Sequence, residues 1–261
     1  MAANTSTQLR RQEAELQRRS AELDRTSREL EEFTYIASHD LKEPLRGIWA
    51  YSEMLREDYG SLLDDEGQRR LDKMAALCRR LETLITDLLT YCRVGGLKTV
   101  KAPVDWETVV AEVLEVLQPA IEDRKAVIQV HGPLPQVWGD SMLLGHALTN
   151  LISNGMKFNR NACPKVEIGA VSSLRQPTIY VRDNGIGIAR CHHEAVFTMF
   201  RRLHGRDEYE GSGAGLTIVR RIAESHNGRV WLESEPGRGT TFYLALPPPT
   251  RSPMLPPPHW V

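Results

Sequence analysis

Residues 183–188 read Asp-Asn-Gly-Ile-Gly-Ile, and residues 211–216 read Gly-Ser-Gly-Ala-Gly-Leu. Glycine lets a backbone turn tightly and approach a ligand with no Cβ in the way. The first cluster follows an apolar stretch, Thr178 to Val181, that reads as a strand leading into Asp183. A carboxylate there can accept a hydrogen bond from an exocyclic amine such as N6 of adenine, with Gly185 and Gly187 clearing room for the base. In the second cluster, Gly211, Gly213 and Gly215 run into an apolar-sided helix from Leu216 to His226. Free N–H groups and the helix dipole at that N-terminus favour phosphate. No Lys-Ser or Lys-Thr pair follows, which excludes a Walker loop. No early strand-glycine-helix unit precedes an acid on a second strand, which argues against a dinucleotide fold.

Asn150, Asn154 and Lys157 share one helical face at spacings i, i+4 and i+7. Helix interiors disfavour asparagine, so two of them ahead of a lysine point to a role. A carboxamide oxygen can coordinate magnesium, and a lysine can meet phosphate.

The first third of the chain has a different pattern. Leu9, Leu16, Leu23 and Leu30 recur every seven residues, with weak companion positions at Glu13, Ser20 and Ser27. That predicts a long amphipathic helix, and a parallel coiled coil is one use for it. The pattern continues through Ile36, Leu41, Leu45, Ile48 and Leu55, with a bend expected at Pro44 and an end at Gly60. A second helix is expected from Asp64 to Arg93, and Gly95-Gly96 reads as a hinge. Neither helix can hide its apolar stripe alone, so two such hairpins from two chains would form a four-helix bundle.

Beyond the hinge, Asp105 is positioned to cap a helix reaching about Lys125, and Asp140 precedes another. Strands are expected at Val127 to His131, Val166 to Val171, Thr178 to Arg182, Arg229 to Glu233 and Thr241 to Leu246. Helices interspersed with a mostly antiparallel sheet make a two-layer α/β sandwich. The fold class is therefore multi-domain α + α/β: a helical hairpin, then the sandwich. Residues 1–30 are expected to form an N-terminal coiled-coil helix, 31–94 the hairpin, 95–102 a linker, 103–247 the sandwich and 248–261 a disordered proline-rich tail.

A net charge of −1 gives no global case for nucleic acid. Cys78, Cys92, Cys163 and Cys191 form no metal-like pair and fit a reducing compartment. No run of about 18 apolar residues is present to span a membrane, and the first residues lack a signal peptide's apolar centre. A cytoplasmic location is expected.

With these pieces in place, residues from about Glu31 to Pro247 resemble the sensor histidine kinases of two-component systems, particularly the phytochrome-like group. Ser38-His39-Asp40-Leu41-Lys42-Glu43-Pro44 resembles the phosphoacceptor box, and Asn150 to Phe158 the asparagine box. Asp183 to Ile188 resembles the adenine-binding glycine box, Phe197 to His204 the phenylalanine box, and Gly211 to Leu216 and Gly237 to Phe242 the later glycine boxes.

The resemblance implies a dimer and a Bergerat-type (GHKL) ATP-binding domain that uses ATP and Mg2+. By that likeness His39 is the phosphoacceptor through Nε2, and Asp40 orients its ring. Asn154 is the magnesium ligand, with Asn150 near the metal or phosphates. Lys157 and Arg202 meet phosphate, and Asp183 reads the base. The remaining contacts fall to Gly185, Gly187, Phe200, Gly211, Gly213, Gly215, Leu216 and Thr240, with a mobile lid over Arg201 to Glu210. The phosphoryl group then passes to an aspartate on the receiver domain of a response regulator docked near Trp49.

Three positions depart from the pattern: Gly155 for the usual alanine, Ala214 for a larger apolar residue, and Glu43 where many relatives carry threonine or asparagine. Glu43 predicts weak phosphatase activity. Thirty residues before the hairpin are too few for a sensor, so a larger protein or an upstream partner supplies the signal. Two other readings stand beside the kinase: a catalytically weak scaffold of the same fold, and a protein serine kinase with a related ATP domain.

Overall fold

The computed structural model describes residues 2–96, 101–171, 176–203, 209 and 212–249. His39 and most residues before Thr34 are described for their backbone only. The side chains of the predicted leucine seam, Leu9, Leu16, Leu23 and Leu30, therefore lie outside the described residues, as do Gly211, much of the predicted lid and the end of the tail. The chain divides into two compact units, Met1–Lys98 and Thr99–Val261.

The first unit is an antiparallel-spaced helical hairpin. Helix α1 runs Ala2–Tyr59, a 3-10 turn follows at Gly60–Leu62, and α2 runs Asp65–Gly96. Leu71, Ala75, Cys78 and Ile85 of α2 are buried at coiled-coil spacing, with Thr34, Ser38 and Ser52 of α1 buried too. The helix assignment of α1 continues through Pro44, which forfeits one backbone donor without ending the helix. Helix α2 also continues past Arg93 to include Gly95 and Gly96, where a hinge was expected. Each helical glycine costs about 1 kcal/mol against alanine, which is too little to stop a helix already packed for many turns.

The second unit is the expected two-layer sandwich. Strand β1 (Ala102–Asp105) pairs antiparallel with β3 (Gln136–Gly139). The main sheet has the order β2-β4-β5-β7-β6, from β2 (Val127–His131), β4 (Lys165–Ala170), β5 (Thr178–Asp183), β6 (Arg229–Glu235) and β7 (Gly239–Ala245). Only the β2–β4 pair is parallel. The helices are α3 (Trp106–Asp123), α4 (Ser141–Lys157) and α5 (Gly215–Ser225).

Alternation decides which sheet face the helices cover. Val166, Ile168, Ile179, Val181, Phe242 and Leu244 are buried, while their strand neighbours Lys165 and Arg182 are exposed. Leu144, Leu148, Leu151 and Ile152 of α4 and Ile218 and Ile222 of α5 complete the core. Burying a side chain of that size contributes roughly 1.5–3 kcal/mol. Asp105 and Asp140 cap α3 and α4 as the sequence indicated: their side chains accept from Glu107 N–H at 3.0 Å and Leu143 N–H at 3.2 Å.

Candidate nucleotide site

Helix α4 carries Asn150, Asn154 and Lys157 along one side. Asn150 Nδ2 donates to His146 O one turn back at 3.0 Å. That leaves Oδ1 facing the start of α5, where any Cβ on Gly215 would collide with it. Gly215 is therefore needed for α5 to begin this close to α4. Asn154 is half-buried one turn further on. Lys157 Nζ stands 4.2 Å over the Phe158 ring, and Tyr209 packs on that ring with centroids 5.0 Å apart.

Strand β5 delivers Asp183 to the edge of this helix. Its Oδ1 accepts from Gly185 N–H at 2.8 Å and Thr240 N–H at 3.1 Å. Both bonds fall on one oxygen, leaving Oδ2 for a ligand. Burial pushes the Asp183 carboxyl up to about 6, against the two backbone N–H bonds that pull it down.

The surrounding turns depend on glycine. Gly187 has φ +70° and Gly239 φ +85°; a side chain on Gly187 would strike Glu235 O, and one on Gly239 would strike Asp183 O. Ser234, absent from the sequence-derived site, ties these turns together. Its Oγ accepts from Ile188 N–H at 2.7 Å, donates to Gly239 O at 2.8 Å and lies 2.9 Å from Thr240 Oγ1. A serine facing a threonine across the β6–β7 hairpin was the available signal. Thr240 itself is buried.

On the α5 side, the helix starts at Gly215 with no side-chain cap from Ala214. Ala214 N–H turns back to Ser212 Oγ at 3.1 Å, and Leu216 lies in the first helical turn. Gly213 has φ +79°, and a Cβ placed on it would stand 3.1 Å from Arg202 Cγ and 3.2 Å from Arg201 O. Phe200 is held in the left-handed region at φ 59°, its N–H donating to Gly213 O at 3.1 Å. Arg202 Nη2 donates to Tyr209 O. Asn150, Lys157, Arg202, Gly213, Gly215 and Leu216 thus belong to the α4–α5 side of the unit, and Asp183, Gly185, Gly187 and Thr240 to the sheet side.

No group of three or more His, Cys, Asp or Glu among the described residues could hold a metal ion. Donors from this unit to a cation bound beside the phosphates would be carboxamide oxygens, which Asn154 and Asn150 supply. In the other unit, His39 lies on α1, followed by exposed Asp40. Among the described residues, no helix is long and apolar enough to cross a membrane.

Residues 29–96 match the family described as His Kinase A (phospho-acceptor) domain. Residues 139–250 match the family of histidine kinase-, DNA gyrase B-, and HSP90-like ATPases. The chain is 44% identical over 218 residues to cyanobacterial phytochrome B of Nostoc sp., covering 83% of this chain and 29% of that protein. It is 40% identical over 217 residues to phytochrome-like protein Cph1 of Synechocystis sp., again covering 83% and 29%. The chain thus spans under a third of the length of these relatives. A crystal structure of full-length ShkA in complex with AMPPNP superposes with a TM-score of 0.63 at 26% identity, covering 86% of this chain and 47% of that one. A phosphoacceptor-type hairpin followed by an ATPase-type sandwich, in one chain and in that order, places this protein in the sensor histidine kinase family.

Proposed function

We propose that the chain binds ATP with Mg2+ in the second unit, phosphorylates Nε2 of His39, and passes the phosphoryl group to an aspartate on a response-regulator receiver domain. The observation carrying this reading is the fixed carboxylate of Asp183, held by Gly185 and Thr240 on one oxygen with the other free for a base amino group. Asn150, Asn154, Lys157 and the bare start of α5 lie on the neighbouring helices.

His39 Nε2 supplies the lone pair that forms the new P–N bond. The bond from the γ-phosphorus to the bridging oxygen breaks, and its electrons leave with ADP. Asp40 holds the proton on Nδ1, which keeps Nε2 basic. Lys157 and Arg202 offset the charge on the moving group. Asn154 is the protein's ligand to the cation, with Asn150 beside it; the bound Mg2+ supplies further charge neutralisation.

The hairpin has a second apolar stripe, with Leu41, Ile48 and Leu55 exposed at seven-residue spacing on α1, Leu62 continuing it in the following turn, and Met74, Leu81 and Leu88 exposed on α2. A second copy of the hairpin would bury it, giving a homodimer. An upstream sensory segment acting through α1, a cytoplasmic setting, a 95–102 linker and weak phosphatase activity from Glu43 complete the reading.

Incubation with γ-labelled ATP tests it. An acid-labile, base-stable label that disappears in His39→Ala and Asn154→Ala is the expected result. Labelling that persists without His39 overturns it.

A further inference from the structure

We propose that Asn159 is a positioning residue for base recognition, its carboxamide holding the 183–186 turn in register with the end of α4. The proposal rests on the assignment of Asp183 to the base given above.

The amide orientations are fixed by backbone donors. Asn161 N–H donates to Asn159 Oδ1 at 3.0 Å, and Lys165 N–H donates to Asn184 Oδ1 at 2.8 Å. A backbone N–H can meet only the oxygen of a carboxamide, so both side chains have one assignment. Asn159 Nδ2 is thereby directed at Asn184 Oδ1, at 2.6 Å. Asn161 closes the ring, its Nδ2 donating to Asn159 Oδ1 at 2.9 Å and Asn184 O at 2.7 Å.

Consecutive residues at the end of α4 therefore grip both ends of the turn. Phe158 O accepts from Ile186 N–H at 3.0 Å, and Asn159 holds Asn184. Between them stand Asp183 Oδ1 and the Gly185 N–H it accepts from. A hydrogen bond from a bound base requires the carboxylate to be placed within a few tenths of an ångström. Asn184 is also tied to β4, its N–H donating to Lys165 O at 3.3 Å and its Oδ1 accepting from Lys165 N–H. Losing the Asn159 donor therefore frees the turn from α4 alone. That loosening blunts the contact, while the phosphate end, on α5, is untouched. Asn159 Nδ2 also reaches Gly155 O at 3.4 Å, an ordinary helix-end contact. A purely structural role would rest on that contact and would leave base preference alone.

The test measures dissociation constants of the full chain for ATP and for ITP, whose base has a carbonyl in place of the amino group. The variants are Asn159→Ala and the near-isosteric Asn159→Asp, which keeps the acceptor for Asn161 and loses the donor to Asn184. Thermal melting checks that each is folded, and Asp183→Asn is the reference for lost base reading. The expected result is ATP binding weakened about five- to tenfold, the scale of one hydrogen bond, with ITP binding unchanged and the ATP/ITP ratio narrowed towards that of Asp183→Asn. An unchanged ratio in both folded Asn159 variants, with Asp183→Asn collapsing it, overturns the role of Asn159 alone. An unchanged ratio in Asp183→Asn overturns the base assignment and the proposal with it. Should Asn159→Ala fail to fold, Asn159→Asp decides.

Discussion

Gly155 lies against Asp183: a Cβ placed on Gly155 would stand 3.1 Å from Asp183 Cβ and 3.0 Å from Val166 Cγ2. The absence of a side chain thus brings α4 close to the acid at the end of β5. From sequence, this glycine registers only as a helix penalty of about 1 kcal/mol. Val166 is fully buried and cannot swing aside. We predict that Gly155→Ala gains no stability, because overpacking costs about 1–3 kcal/mol and offsets the helix gain. The displaced carboxylate weakens ATP binding by about three- to tenfold, within the effect of one distorted hydrogen bond. Calorimetric titration with ATP beside a melting curve checks both halves. Raised melting temperature with full affinity would contradict them.

Nucleotide binding should depend on pH through Asp183. Burial raises its carboxyl to about 6, from an unfolded value of 3.8. The free folded chain therefore takes up a proton before the unfolded chain does. Protonation stabilises the fold below 3.8, and that contribution is lost as pH rises through about 6. Binding has the opposite preference, because a base amino group needs the ionised acceptor. ATP affinity should fall on acidification below about pH 6, by up to about tenfold per unit for one linked proton. Asp183→Asn should bind weakly with that component removed. The phosphates titrate equally in both proteins, so the difference between the two profiles isolates Asp183.

His226 is buried and joins α5 to the start of α4. Its Nε2 accepts from Asp140 N–H at 2.9 Å, and Nδ1 lies 2.7 Å from Ile222 O. This pair of bonds assigns the neutral ring with its proton on Nδ1. Burial, aided by nearby Lys101, lowers its affinity for a proton, against the pull of Ile222 O and Asp140. The unfolded chain binds the proton more readily, so stability falls as pH drops below about 6.5. His226→Phe leaves the Asp140 N–H without a buried acceptor and should cost about 1–3 kcal/mol at neutral pH. It should also lose the acid-side fall. Denaturant melts from pH 5 to pH 8 measure both, and parallel pH profiles for the two proteins would refute the assignment.

Much of this was legible because the chemistry is local. Asp183, Gly185 and Gly187 sit within five residues, and Asn150, Asn154 and Lys157 within eight, so strand and helix periods alone bring each set together. The hairpin followed from its stripes. What escaped depends on neighbours distant in sequence. Strands β1 and β3 are four residues each and are defined by pairing with one another. Ser234 and Asn159 carry no local signal of their roles, because their partners Ile188 and Asn184 lie 46 and 25 positions away. Gly95 and Gly96 have helical backbone at the end of α2, since local propensity yields to a helix already formed.

Gly145 provides the contrasting test within the same helix. It lies in the second turn of α4, and a Cβ there would meet Val113 Cγ2 at 3.7 Å and Val109 Cγ1 at 4.0 Å, ordinary packing distances. Neither neighbour has to move, and both belong to α3, away from Asp183 and the start of α5. Gly145→Ala should therefore realise most of the helix-propensity difference, about 1 kcal/mol, and strengthen the α3–α4 contact slightly. For a unit of this size that is a rise of about 2–4 °C in melting temperature. ATP affinity should be unchanged, because the added methyl meets only α3 and the Gly145 carbonyl keeps its bond from Thr149 Oγ1 at 2.9 Å. A fall in melting temperature would mean that α3 and α4 approach more closely than the structure has them.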